Sequence, residues 1–489
     1  MYDILVLRPK FDKLSVVLKD ILHRGVAGEQ MRDRLNELIN KYKKKVDYLE
    51  IRFENNQANQ IRYLGKSLDS LNQSEAQGGY VRSCYKGGWG FCSFNNINNL
   101  EKYIEETINQ SLLLGSEENA KTILAPISPI QKIFPIEMTG KDPRKISIAN
   151  KVELFKQYNE LINSYSEKIT TSAARYNEKI QAVTFLNSEG THIEHGWVDM
   201  EARFSATTQK NGMIQVAQES LGSRKGFEEI ENLDERLKLM SKRAVDQLEL
   251  KSPKAGTYTV VIDPILTGLF VHEAFGHLSE GDFIFDNPAM QEFMTFGKKF
   301  GEKFLNILDG GKVKDHRGSF LFDDEGVPSQ DTYLIKEGIL VGRLHSRETA
   351  GKLNEKPTGN ARCLDYRYPP IVRMTNTWIE PQKNSPEDLI SDIKLGIWAG
   401  NWLGGQTNGE MFTFASGEAR MIRDGKLAEP VKDVNLTGNV FQTLKDIEGI
   451  SNDMYWDESG GCGKFGQSGL SVGVGGPSIR IKNMVVAGE

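Results

Sequence analysis

Four cysteines in 489 residues, Cys84, Cys92, Cys363 and Cys462, are too few and too scattered to form a disulfide framework. A reducing, cytoplasmic setting is therefore expected, in which a thiol is either a small buried hydrophobe or present for its thiolate. Long apolar runs are missing as well: nothing approaches the roughly 18 consecutive residues of a membrane span. The N-terminus, MYDILVLRPKFDK, has no basic region followed by an apolar core, so no secretory leader is read there. Nor is there a basic excess, since 61 Lys+Arg against 66 Asp+Glu leave a net charge of −5. Nucleic acid needs a positive face to meet its phosphates, so it is not expected as a partner, and neither is a membrane. Phosphate-cradling loops are absent too. LGKS at 64–67 has Gln60 where a P-loop has its first glycine, and GVGGPS near the C-terminus runs into a strand rather than a helix.

What is present reads as an α+β chain. EQMRDRLNELINKYKKK has the apolar spacing of a helix at Met31, Leu35, Leu38 and Ile39, and DYLEIRFENN alternates like a strand at Leu49, Ile51 and Phe53. Strand-like pieces and a second helix follow, then a proline-punctuated connector, APISPIQKIFPIEMTGKDP. The same helix–sheet–helix rhythm recurs up to LDERLKLMSKRAVDQLEL, with a hairpin expected around Glu189-Gly190. From about Gly256 the texture becomes short strands with glycine turns, including hairpins expected at Glu337-Gly338 and Asp424-Gly425. SPEDLISDIKLGIWAG reads as a helix capped by Ser385, with Pro386 in its first turn and Gly400 near its end. The last thirty residues read as a glycine-dense loop and one closing strand. The expected domains are 1–125 and 126–252, both helix–sheet–helix, and a β-rich C-terminal domain at 253–489 that carries a metal-binding helix.

That helix is the chemical signal. In VHEAFGHLSEGD, 271–282, Glu273 follows His272 directly and His277 comes five residues after it. Asp263 suits an N-cap and Pro264 the first helical position, with Leu266, Leu269, Phe270 and Phe275 as an inward stripe. The familiar zinc-peptidase spacing is H-E-x-x-H, whose histidines share one face. At five residues apart, two side chains of a regular α-helix diverge by about 140°. Both can reach one ion only if the helix is locally widened or already unwinding; a π-turn with its i→i+5 bond restores the alignment, and Gly276 eases such a departure. On spacing alone, a metal site and two ordinary histidines stand side by side.

A catalytic zinc commonly takes three protein ligands. Glu280 and Asp282 are close in sequence but equally suit supporting or helix-end roles. His23, His192, His195, His316 and His345 form no chelating motif with the helix. Cys462 lies in ESGGCGKFGQSG, where glycines let the backbone approach an ion. By itself, a flexible loop with an incidental thiol is the plainer account of that stretch.

Four segments, HEAFGHLSEGD at 272–282, RMTNTWIEP at 373–381, GEMFTF at 409–414 and GCGKFGQSG at 461–469, together resemble the TldD/PmbA family, in particular its TldD-like, metal-bearing branch. The likeness extends over nearly the whole chain except the first ~25 residues, with its specific motifs in the C-terminal half. The resemblance implies a zinc metalloprotease that hydrolyses small or unfolded peptides. By motif it implies His272, His277 and Cys462 as zinc ligands and Glu273 as the catalytic carboxylate. It also implies a closed two-subunit chamber, either a homodimer or a heterodimer with a metal-free sibling. RMTNTW is a candidate strand along which a peptide could lie, although Arg373 and Thr375 also read as structural. Two rival readings remain: a Cys-dependent hydrolase with Cys462 as nucleophile and His272 or His277 as base, and a metal-free, inactive partner or binding subunit.

Overall fold

The computed structural model describes residues 29–115 and 124–487, so the N-terminal stretch read for a leader, and His23 with it, lie outside the described residues. The alternation at Leu49, Ile51 and Phe53 becomes strand β1 (Tyr48–Leu64), which pairs antiparallel with β2 (Ser67–Tyr85), itself followed by β3 (Gly88–Phe94). β4 (Gln131–Ile133) is a short strand inside the proline-punctuated connector. It pairs in parallel with the start of β6, a tertiary contact that local composition does not announce. β5 (Ile169–Asn187) and β6 (His192–Lys210) form the hairpin expected around Gly190, whose φ is 100°. β7 (Met213–Ser223) completes the layer.

β1 also pairs with β5, so both helix–sheet–helix sections share one seven-stranded sheet. Odd positions of β1 bury Leu49, Ile51, Ile61 and Tyr63 under four helices. Helices α1 (Glu29–Tyr42) and α2 (Leu100–Leu114) cover the first part, and α3 (Ile148–Ser164) and α4 (Asp234–Asp246) the second. Even positions are charged and yet buried: Glu50, Arg52 and Glu54 are 0%, 1% and 0% exposed. The C-terminal half covers that face, with Arg52 paired to Asp324 and Arg82 to Glu325.

The C-terminal half is β-rich, as expected from its turns. Glu337 and Gly338, and likewise Asp424 and Gly425, take positive φ between antiparallel strands, the pattern of tight two-residue hairpins. Strand β8 (Gly256–Ile262) lies between Leu395–Asn408 and Ile479–Ala487. Asn435–Asn439 and Met411–Arg423 continue the order, and Met411–Arg423 pairs back to Leu395–Asn408, closing a five-strand ring. A six-stranded sheet containing Ile307–Gly310, Asn376–Ile379 and Gly473–Gly476 packs nearby around the same apolar core.

Two local expectations need correction. Ser385 and Pro386 do start a helix with a capping box, but it covers only Pro386–Ile390. Gly400 belongs to the strand Leu395–Asn408, because Ile397 and Ala399 pair with β8 and are fully buried. The glycine-dense tail is not a loop. Cys462–Lys464 and Gln467–Leu470 form a hairpin, and Gly473–Gly476 and Ile479–Ala487 are further strands. Among the described residues, no helix is long and apolar enough to cross a membrane.

Candidate metal centre

β8 delivers the chain to Asp263, whose side chain accepts from the Leu266 N–H and so caps helix α5 (Pro264–Val271). Leu266, Phe270 and Phe275 are buried in the core, and Leu269 is partly so. At His272 the helix widens into a π-turn, His272–Gly276, and the His277 N–H donates to the His272 carbonyl. That i→i+5 bond is what the five-residue spacing demands: both imidazoles come to one side, with ring centroids 5.1 Å apart. Gly276 keeps helical dihedrals, φ −56° and ψ −54°, so backbone freedom is not its role. A Cβ there would overlap the Met374 sulfur, and glycine is what admits the buried Met374 against the turn.

Cys462 arrives on its hairpin from far along the chain, yet its Sγ lies 3.4 Å from His277 Nε2. The turn of that hairpin places Phe465 at φ 47° and Gly466 at φ 79°. Arg373, fully buried, donates from Nη2 to the Cys462 carbonyl at 2.7 Å and from Nη1 to the Gln467 carbonyl at 3.3 Å. It is thus a brace for the hairpin, and Thr375 likewise donates to the buried Asp309. Lys464, two residues after the cysteine, reaches Glu280 at 3.0 Å, Asp282 at 2.5 Å and the Val372 carbonyl at 2.8 Å. Glu280 in turn faces His277 Nδ1 at 2.9 Å. Lys464 was invisible to sequence reasoning; its only signal is its place inside GCGKFG, because its partners sit on another element.

Electrostatics follow from these contacts. Burial alone would push the Cys462 thiol up, but the two imidazoles hold it well below the usual thiol range. Burial would likewise lower His277, and the Glu280 carboxylate overrides it and raises it well above the ordinary value. Glu280 is lowered despite complete burial, through His277 and Lys464. With Glu280 ionised and accepting from Nδ1, His277 presents Nε2 toward Cys462.

Donor atoms of His272, His277 and Cys462 all lie within 4.8 Å of one another, the one such group of metal-binding side chains among the described residues. Zinc bond lengths of 2.0–2.3 Å in a tetrahedron require N···S separations of about 3.5 Å, so two imidazoles and a thiolate fit such an ion. His272 Nδ1 is buried without a hydrogen-bond partner, which is consistent with a site built for more than packing. Glu273, next to a donor residue, is half-buried, and among the described residues no donor reaches its carboxylate. The other described histidines lie elsewhere: His195 is buried and lowered to about 4 by burial and Arg52, His316 faces Glu458, and His345 sits between Thr349 and Glu355. His192 lies beside Glu194.

Comparison with known proteins bears on this geometry. Three family models match in order along the chain: PmbA/TldA metallopeptidase domain 1 at 49–111, the central domain at 141–251 and the C-terminal domain at 255–488. A metalloprotease of Synechocystis sp. is 55% identical over 93% of this chain and 98% of its own. A zinc metalloprotease TldD homolog of Saccharolobus solfataricus is 30% identical over 92% and 99%. The crystal structure of TldE from Thermococcus kodakarensis shares the fold with a TM-score of 0.72 at 18% identity, covering 93% of this chain and 100% of that one. On these matches the chain belongs to the TldD/PmbA family of metallopeptidases.

Proposed function

We propose that this chain is a zinc-dependent peptidase of the TldD-like branch, with His272, His277 and Cys462 as zinc ligands and Glu273 as the catalytic carboxylate. The observation that carries the reading is the convergence of two imidazoles and a thiol, 185 residues apart at Cys462 and His277, with Glu273 next in sequence to His272 and reached by no donor among the described residues. The substrates are small or unfolded peptides, and the working form is a closed assembly with a second copy or a metal-free sibling. A cytoplasmic setting suits the sparse cysteines, all four of which are free.

When bound, zinc supplies Lewis acidity toward water and toward a peptide carbonyl. The chain's own residues do the rest. Glu273 accepts a proton from the attacking water and returns it to the leaving amine. Glu280 holds the proton of His277 on Nδ1, and Lys464 keeps Glu280 ionised. Extended substrate pairs with a strand edge through its backbone, which makes cleavage tolerant of sequence.

Native mass spectrometry of protein purified without chelators tests the site: about one zinc per chain is expected, lost in Cys462→Ala. Glu273→Gln should keep the zinc and lose about 10²–10⁴-fold in peptide hydrolysis. Undiminished hydrolysis in that variant rules out Glu273 as the base. The thiol reading has one observation in its favour, the low-lying Cys462 thiol 3.4 Å from His277 Nε2. A chelator decides between them, since a thiol hydrolase survives metal removal.

A further inference from the structure

A cavity of about 230 Å³ lies between the charged face of the N-terminal sheet and the C-terminal half. Trp197 and Asp199 of β6 form one side, and Phe320 and Arg362 the other. A third wall is Gly469–Leu470, on the hairpin that carries Cys462, where Leu470 is the register partner of Cys462.

Arg224, Arg317 and Arg362 line it, and two of the three lack the close carboxylate that holds most of the protein's buried arginines. Arg52, Arg82, Arg317 and Arg347 each face a carboxylate, and although burial opposes it, each is held above its usual range. Arg224 and Arg362, both lining the cavity, are pulled down by burial to about 10. The contacts explain the contrast. Arg362 donates from Nη1 to the Met374 carbonyl at 2.6 Å and from Nη2 to the Ser471 carbonyl at 2.8 Å. Among the described residues it has no carboxylate partner, and its Nε has no acceptor. Arg224 donates from Nη1 to the Ser319 carbonyl and from Nε to a single carboxylate, Asp199, at 3.4 Å, and Asp199 is already held from both oxygens by Arg317, at 2.9 and 2.7 Å. The Nη2 of Arg224 has no acceptor among the described residues. The other carboxylates on the wall are engaged: Glu178 by Lys151, Asp324 by Arg52, Glu201 by Arg203, and Asp323 by the N–H groups of Glu325, Val327 and Ala361. Two buried cations therefore line one cavity, Arg362 with no carboxylate partner among the described residues and Arg224 sharing Asp199 with Arg317.

We propose that this cavity is a carboxylate-binding site, and that it takes the acidic group of a peptide, its α-carboxylate or an Asp/Glu side chain, between Arg224 and Arg362. Planar guanidinium N–H pairs match a planar carboxylate. The rings of Trp197, 5.2 Å from the Arg224 guanidinium, and Phe320, 4.8 Å from that of Arg362, offer apolar surface to the residue that bears it. That the carboxylate belongs to a peptide rests on the peptidase reading above; the anion site itself does not.

Calorimetric titration of the full-length Glu273→Gln chain, which should not turn its ligand over, tests the proposal. The probes are N-acetyl-Gly-Gly, its C-terminal amide, N-acetyl-Asp-glycinamide and inorganic phosphate. Binding of the free acid with at least about tenfold loss in the amide supports an α-carboxylate site, and preference for the Asp probe assigns it to an acidic side chain. Arg224→Gln and Arg362→Gln should each weaken that binding about tenfold or more with circular dichroism unchanged. Should Arg362→Gln fail to fold, Arg224→Gln decides alone. Equal binding of the acid, the amide and the Asp probe, tighter binding of phosphate, undiminished affinity in folded Arg224→Gln, or no binding up to about 10 mM overturns the proposal. Absence of peptide hydrolysis by the zinc-loaded wild-type chain would sink the peptidase reading while leaving these affinities as they are.

Discussion

Glu280 is the residue on which the candidate centre turns after its three donors. It is fully buried, faces His277 Nδ1 at 2.9 Å and takes Lys464 at 3.0 Å. A carboxylate behind an imidazole fixes the tautomer and makes the ring a better donor to metal. Glu280→Gln keeps an acceptor in place but removes the charge that both His277 and Lys464 answer. Zinc affinity, measured by competition with a chromophoric chelator, should fall about 10–100-fold. An unchanged affinity would mean that Glu280 merely neutralises Lys464. Residues of this kind are only half legible in sequence. Glu280 could be suspected because it lies three positions beyond His277, but Lys464 acts across two separate elements, and nothing in its neighbourhood points to Glu280 or Asp282.

At the scale of the element, a distorted turn was legible because a regular helix cannot bring His272 and His277 to one ion, and of the widened and unwinding alternatives the π-turn is the one found. The need for Gly276 was legible too, but the reason was not: the turn keeps helical dihedrals there, and Met374 occupies the space of the missing Cβ. Gly276→Ala should therefore overpack a sealed site, costing about 1–3 kcal/mol in unfolding free energy and lowering zinc content. Shortening the neighbour in a Gly276→Ala/Met374→Val double variant should recover part of the zinc content; two additive losses would refute the steric account. Where an element's identity depends on a distant partner, the sequence pattern misleads. LGIWAG looks helical beside the Ser385 cap, yet Ile397 and Ala399 are strand because β8 is there to receive them. The glycines around Cys462 suggest a loop, whereas the hairpin persists because Arg373, between the strands Ile371–Val372 and Asn376–Ile379, satisfies the Cys462 and Gln467 carbonyls.

Across the whole molecule, the alternation of β1 announced one apolar face, and the natural inference is that the charged face meets water. It meets the C-terminal half instead, and the sheet's ion pairs to that half have partners more than a hundred residues away that cannot be matched in advance. Asp199 and Arg317 form one of these pairs, with Arg317 donating from Nε and Nη2. Although burial pushes Asp199 up, Arg317 outweighs it and holds the carboxyl down to about 2. Its folded pKa thus lies below its unfolded value of about 3.9, so the unfolded chain binds more protons in between. This contribution, about 2 kcal/mol, is complete above the unfolded pKa and is lost as pH falls from about 4 through about 2. Asp199→Asn leaves buried Arg317 with only the more distant Glu201 at 3.9 Å, which should cost about 3–5 kcal/mol at pH near 7. The gap between wild type and variant, read from urea midpoints at a series of pH values, should hold steady down to about pH 5 and then narrow as the wild type loses its own carboxylate. A gap of constant width into strong acid would show that Asp199 contributes through shape or hydrogen bonding rather than charge, and that the two halves of the molecule are not joined electrostatically at this point.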